Sequence, residues 1–485
     1  MKNKSENNST IANFIWRFTE RTAAQLVTFV VSIILARILS PEYYGTIALV
    51  TVFTTILQVF VDSGLGTALI QKKDADDLDF SSVFFFNMFM CVVLYIVMYI
   101  ASPYIAAFYN DKGLTPIIRF ISLTIIISGV KGIQQAYVSR NMLFKRFFFS
   151  TIGGTVASAI IGIFLAYKGY GVWALAIQQV SNTAIDTLIL WLTVRWKPKF
   201  MFSWQRLKSL LKFGWKLLVS ALLDTVYNNL RNLMIGKIYT SSDLAFFDQG
   251  DKLPKVIATN INISIDSVLL PTLSKVQDKV EEVRLLTRRA IRISVYIVAP
   301  LMIGFACCAE SLVSLVLTDK WLPCVPFVRI LCVSYMLWPI HTANLNAIKA
   351  MGRSDIFLKM EVIKKVVGIA LLVSTIGFSV KAMAYGVLLE CVIAQIVNSI
   401  PNKSLLNYGY IDQLKDVLPT LALSGVMGIV VYYIGILPLP QLLGVVVQIL
   451  TGMIIYIVGS YLLRFDEFRY IMSCLLYTSD AADEL

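Results

Sequence analysis

The chain has 485 residues, of which 57% are apolar and only 15% charged, and its mean hydropathy is +0.72. Soluble domains carry about 25% charged residues, so these few charges cannot cover a water-facing surface of ordinary size. Disorder, a soluble nucleic-acid enzyme and a disulfide-stapled secreted module are excluded, and the net charge of +13 is first explained by a bilayer, where cations collect on the cytoplasmic side.

Read from the N-terminus, a polar stretch over 1–10 precedes the first apolar segment. No small-residue cleavage site follows it, so no removable signal peptide is expected. A helix crossing hydrocarbon needs about 20 mostly apolar residues, and about fourteen such stretches are predicted. Six lie in an N-terminal bundle over 11–194, at 14–39, 44–69, 80–101, 114–137, 147–167 and 171–194. A basic cytoplasmic linker at 195–212 leads to a second bundle over 213–400, with spans at 213–236, 256–273, 290–317, 325–348, 357–380 and 383–400. After a cytoplasmic loop at 401–416, two further spans follow at 417–436 and 442–463, outside the repeat. The predicted fold class is therefore all-α and integral to a membrane. The segment 474–485 resembles a translated sequencing-adapter read and is expected to be non-native.

The basic residues test this order of spans. With the N-terminus inside, the cytoplasmic segments carry roughly four times as many Lys and Arg as the opposite side, which predicts both termini in the cytoplasm. Nucleic acid is not needed as a partner to explain the charge. A weak internal repeat sets Arg37-Ile38-Leu39-Ser40 against Lys237-Ile238-Tyr239-Thr240, and Asp62 and Leu69 against Asp266 and Leu273. It predicts two six-helix bundles related by a pseudo-two-fold axis along the membrane normal.

Polar groups at membrane depth are the candidate site. Span 1 places Arg17, Glu20, Arg21 and Gln25 on one helical stripe, and span 7 does the same with Asp224, Asn228, Arg231 and Asn232. Gln58 and Asp62 in span 2, Asn262 and Asp266 in span 8, and His341 and Asn344 in span 10 extend the set. Charged side chains cost at least about 2.5–3.5 kcal/mol in hydrocarbon, so these stripes are expected to face inward and line a polar cleft. Plainer readings stand beside this one. Arg17 and Arg21 also suit headgroup contacts near a helix start, Asp224 suits simple pairing with Arg231 or an amide, Asp62 and Asp266 suit helix-end caps, and His341 suits packing.

Enzyme chemistry has no footing in the sequence. The seven Cys form no CxxC pair and read as packing residues, while a single His argues against a His-based metal site or catalytic dyad. P-loop, HExxH and nucleophile-elbow motifs are absent, and no soluble insert exceeds about 20 residues. No cofactor and no metal is expected; transport remains.

Several strings then resemble the polysaccharide transporter (oligosaccharide flippase) family, in the superfamily that includes multidrug extrusion transporters: ARILSPEYYG (36–45), DSGLGTALIQKKDADDLDFSSVFFFN (62–87), SRNMLFKRF (139–147), GYGVWALAIQQ (169–179), RWKPKFMFSW (195–204) and LPTLSKVQDK (270–279). The resemblance implies an inner-membrane protein that moves undecaprenyl-diphosphate-linked oligosaccharide for O-antigen, capsule or exopolysaccharide assembly. It implies alternating access, membrane lipids as surroundings, and a polysaccharide polymerase or other assembly proteins as partners. On that implication Arg17, Arg21, Arg231, Asn228 and Asn232 are expected to contact substrate, guanidinium matching diphosphate oxygens, and Asp224 with Glu20 to couple an ion. A multidrug antiporter and a lipid II flippase are the alternatives.

Overall fold

The computed structural model describes the backbone of residues 2–62 and 64–483; the side chains of 1–15, 17, 18, 21, 63, 213 and 475–485 lie outside the described residues. Every regular element among the described residues is helical. Packing groups the chain into two units, Met1–Ala245 and Phe246–Leu485. The first holds α1 (Lys2–Ile38), α2 (Pro41–Asp62), α3 (Leu65–Gln71), α4 (Asp77–Phe108), α5 (Leu114–Ile121), α6 (Leu123–Arg140), α7 (Phe144–Tyr167), α8 (Val172–Thr193) and α9 (Trp204–Ile238). After α10 (Ser241–Lys275), the second continues with α11 (Val280–Leu317), a 3-10 turn (Asp319–Cys324), α12 (Val325–Met336), α13 (Trp338–Ala350), α14 (Ser354–Thr375), α15 (Val380–Leu406), α16 (Tyr410–Gly435), α17 (Gln441–Leu462) and α18 (Asp466–Asp483).

Ten helical stretches among the described residues are long and apolar enough to cross a membrane, and a shorter apolar helix covers Thr22–Ile38. The chain is a multi-pass membrane protein. The expected spans at 171–194, 213–236 and 357–380 coincide with α8, α9 and α14, whose polar residues dilute the apolar run; α14 alone carries Lys359, Glu361, Lys364 and Lys365. Large apolar side chains are exposed along α16 and α17, among them Ile429, Tyr433, Leu442, Leu450 and Ile454. In water such a surface would aggregate, and in lipid it is the ordinary solvent-facing surface.

In the first unit, α7 and α8 form the tightest pair, because small residues let them approach closely. A side-chain carbon at Gly154 would lie 2.8 Å from Asp186 Cβ, and one at Gly162 would lie 2.9 Å from Gln178 Cβ. The turn that joins these helices runs through Gly169 at φ 81° and Gly171 at φ 56°, the left-handed region that side chains disfavour. This accounts for the GYG of the fourth string. The last residue of the first string has another role: a carbon added at Gly45 would meet the Ser241 carbonyl oxygen at 1.7 Å, so α2 lies against the backbone that follows α9.

The linker at 195–212 is fastened to the first unit. Asp76 caps α4 in a reciprocal capping box with Asp79, and the acidic start of α4 then receives the returning chain. Trp196 Nε1 donates to Asp77 Oδ1 at 2.9 Å, Lys199 Nζ sits 2.6 Å from Asp77 Oδ2, and Arg206 Nη1 sits 2.6 Å from Asp76 Oδ2. The backbone amides of Lys199 and Ser203 donate to the hydroxyls of Ser81 and Ser82 at 3.0 and 2.9 Å. Beneath these contacts Trp196 stacks on Tyr137 and packs against Phe80. The second and fifth strings thus meet in one clasp.

The second unit is centred on α11. Tyr296 on that helix donates to Ser460 Oγ at 2.8 Å, and Tyr456 Oη of α17 donates to the Tyr296 carbonyl at 2.7 Å. Arg288 forks onto Asp416 of α16 at 2.7 and 2.6 Å.

Two outcomes follow from these contacts. Gly45→Ala forces a methyl group into backbone, so a loss of about 1–3 kcal/mol is expected, read as a lower Tm of the purified protein in detergent. The Arg206 guanidinium and Lys199 ammonium hold the Asp76 and Asp77 carboxyls below their ordinary value of 3.8. Because these folded-state values are lowered, the stabilisation is present above that value and lost as pH falls through the lowered ones. Amide-exchange protection of 196–203 should therefore persist at pH 5 and drop on acidification below about pH 3.8, ahead of α7 and α8.

Candidate functional site

The expected substrate residues divide between two helices of the first unit. The side chains of Arg17 and Arg21 lie outside the described residues. Glu20, between them on α1, is buried and accepts a hydrogen bond of 3.2 Å from Thr151 Oγ1 of α7, which ties its carboxylate to the helix on which α1 packs. On α9, Asp224 and Asn228 are exposed, and Arg231 and Asn232 are half-buried. Asp224, Asn228 and Arg231 climb one stripe of the helix. Below that stripe α9 is anchored on α2 and α4: Ile235 is buried, and Tyr109 Oη donates to the Leu233 carbonyl at 3.3 Å. Lys237 caps this anchor, its ammonium 4.3 Å from the Phe108 ring. The geometry therefore offers a guanidinium, a carboxylate and two amides on a helix whose far end is fixed.

The other expected polar residues have identified partners. Gln58 Nε2 donates to Asp62 Oδ1 at 3.3 Å across one turn of α2. Asp266 is not a helix-end cap: α10 continues nine residues further, to Lys275, and Asp266 accepts from Asn346 Nδ2 of α13 at 2.9 Å. Asn262, one turn earlier, accepts from Thr342 Oγ1 at 3.2 Å. His341 Nδ1 lies 3.1 Å from Asn398 Nδ2 of α15.

Two polar assemblies were not singled out by sequence reasoning. In the first unit Lys131 of α6 pairs with Asp186 of α8, with side chains only 18% and 11% exposed. Lys131 is a charge within a predicted span, but Asp186 lies among several other polar residues of α8, and nothing in the sequence marks it as the partner. In the second unit the buried amides of Asn344, Asn402 and Gln413 join α13, α15 and α16: Gln413 Nε2 and Asn402 Nδ2 donate to Asn344 Oδ1 at 2.8 and 2.6 Å, and Asn344 Nδ2 returns a bond to Gln413 Oε1 at 2.9 Å. Ser399 Oγ adds another at 3.0 Å. The i, i+4 spacing of Gln395, Ser399 and Lys403, next to Asn398 and Asn402, was the available signal. Among the described residues no group of three or more His, Cys, Asp or Glu could hold a metal ion.

With this arrangement in view, the chain was compared with known proteins. Residues 34–326 match the family described as polysaccharide biosynthesis protein. The chain belongs to that family. The membership bears out the resemblance carried by the strings at 36–45, 62–87 and 169–179. The lipopolysaccharide biosynthesis protein WzxC of Escherichia coli K12 is 26% identical over 416 residues, covering 82% of this chain and 83% of its own. The succinoglycan biosynthesis transport protein ExoT of Rhizobium meliloti is 22% identical, covering 84% and 81%. Among solved structures, the lipid II flippase MurJ in an inward closed conformation superposes with a TM-score of 0.76 at 15% identity, over 94% of this chain and 99% of that one. At that identity the likeness is one of fold.

A buried ion pair is fragile to single changes and tolerant of paired ones. Lys131→Leu alone should cost about 3–5 kcal/mol by stranding Asp186, and the double variant with Asp186→Leu should recover most of that. Unfolding of the purified variants in detergent measures both, and equal losses in single and double variants would remove the pair from this role.

Proposed function

We propose that this polysaccharide biosynthesis family member is a flippase that moves undecaprenyl-diphosphate-linked oligosaccharide repeat units from the cytoplasmic to the periplasmic leaflet of the bacterial inner membrane. The observation that carries the reading is the half-buried Arg231 in line with the exposed Asp224 and Asn228 on α9, within a family whose named relatives serve polysaccharide biosynthesis. A diphosphate is an anion that hydrocarbon rejects, and a guanidinium with neighbouring amides supplies the fork of donors it needs. Arg17 and Arg21 on α1 are proposed to share that task with Asn228 and Asn232, and the polyprenyl tail stays in lipid. The protein carries out no covalent chemistry in this reading.

The same reading takes the cycle as alternating access between two pseudo-symmetric six-helix bundles within fourteen spans, with both termini cytoplasmic as the basic-residue bias predicts. Asp224, with Glu20 second, is the proposed ion-coupling carboxylate, and a polymerase is the proposed recipient of the product. The MurJ-like fold favours a second reading, transport of lipid II itself. Both cargoes share a polyprenyl diphosphate and differ in the glycan.

Loss of charge-assisted bonds to the diphosphate is worth about 1.5–3 kcal/mol, or about ten- to a hundred-fold in transport. Arg231→Ala and Arg21→Ala should therefore abolish surface polysaccharide in a complemented flippase-deficient strain while the protein stays at normal level in the membrane. Normal polysaccharide from both variants overturns the assignment, and rescue of a lipid II flippase deletion instead selects the second reading. Asp224→Asn should remove any dependence of transport on an imposed ion gradient in proteoliposomes, and unchanged dependence excludes Asp224.

A further inference from the structure

Within the second unit, a pocket of about 390 Å³ opens where α11, α12, α16 and α17 end, beside the connections at 318–324 and 436–440. This volume is typical of a small-molecule site. Its lining brings charged, amide and aromatic side chains together. Arg329 of α12 lies with Nη2 3.2 Å from Glu310 Oε2 of α11 and its guanidinium carbon 5.8 Å from the Tyr432 ring centre. Gln441 of α17 reaches across to donate to Ser314 Oγ of α11 at 3.0 Å.

Deepest in the wall sits Gln448, 1% exposed. Its Nε2 donates to the Val431 carbonyl at 3.0 Å, while its Oε1 is buried with no hydrogen-bond partner among the described residues. A buried acceptor without a donor costs about 1–3 kcal/mol, and at a pocket wall this one is placed for a donor from outside the chain. Space is kept for this side chain: a carbon added at Gly435 would lie 2.4 Å from Gln448 Nε2.

The charge of the lining selects the ligand. Arg329 is matched by Glu310, so the pocket has no excess cation to hold a phosphate. What remains is a planar guanidinium, a carboxylate, two amides and an aromatic face. That set suits a neutral, hydroxyl-rich ring, whose O–H groups donate to Gln448 and Glu310, accept from Arg329, and whose C–H face lies on Tyr432. We propose that this pocket is a glycosyl-binding site, built by α11, α12, α16 and α17 and made of residues other than those of the α9 stripe. That its occupant is the transported glycan, met at the periplasmic end, rests on the flippase reading; the pocket's chemistry does not.

The test uses the purified full-length protein in phosphatidylcholine nanodiscs and saturation-transfer NMR with methyl glucoside, methyl galactoside and methyl N-acetylglucosaminide. Transfer to ring protons of at least one glycoside is expected from the unaltered protein and from Lys168→Ala, a change in the first unit. In Gln448→Leu and Arg329→Gln the signal should fall about tenfold, equivalent to about 1.4 kcal/mol. Tyr432→Ala, at a half-exposed ring, carries the test if Gln448→Leu does not fold. No transfer from the unaltered protein, equal transfer from the pocket variants, or binding only of phosphatidylglycerol added to the discs would each overturn the site. Glycoside binding that survives while the unaltered protein fails to restore surface polysaccharide to a flippase-deficient strain would keep the pocket and reject the flippase reading.

Discussion

Hydrocarbon offers a polar side chain no partner, and this constraint organises the molecule. Apolar residues turn outward along α16 and α17, while charges and amides turn in and satisfy one another. Lys131 closes on Asp186, Glu20 on Thr151, and Asn344, Asn402 and Gln413 on each other. Such groups add little net stability compared with well-packed apolar residues. Their effect is to fix which helix lies beside which, since any other register would strand them. These interior bonds hold the helices of each unit in one register.

The all-helical class, the multi-pass membrane character and the family were legible in the sequence, because length and apolarity of the spans are local properties that need no tertiary information. The candidate stripe on α9 was legible for the same reason: Asp224, Asn228 and Arg231 repeat at helical spacing. Pairings were not. Lys131 and Asp186 are 55 residues apart, and nothing local joins them. Asp266 read as a helix end because the repeat set it against Asp62, yet α10 continues and the carboxylate serves α13 instead. Asn344 of α13 stood out in the sequence but its partners on α15 and α16 did not, since a single Asn or Gln in a span carries no sign of which helix it will meet.

The strings that betray the family turn out to be largely structural. ARILSPEYYG ends in the glycine that lets α2 touch the Ser241 carbonyl, GYGVW makes the turn that pairs α7 with α8, and DADDLDF and RWKPKF hold each other. Family membership is thus carried by parts that build the scaffold. The residues proposed to meet the diphosphate lie outside the strings, on α1 and α9.

The clasp on α4 also orders events in time. Asp77 and Trp196 are separated by 119 residues, and Asp76 and Arg206 by 130. At about 5–20 residues per second, the ribosome takes some 6–26 s to deliver those partners after the start of α4 has emerged. For that interval Asp76, Asp77 and Asp79 have the Lys72 ammonium and their own cap as partners, without Trp196, Lys199 and Arg206. The clasp therefore closes only after α5 to α8 have been synthesised, making it a late contact of the first unit.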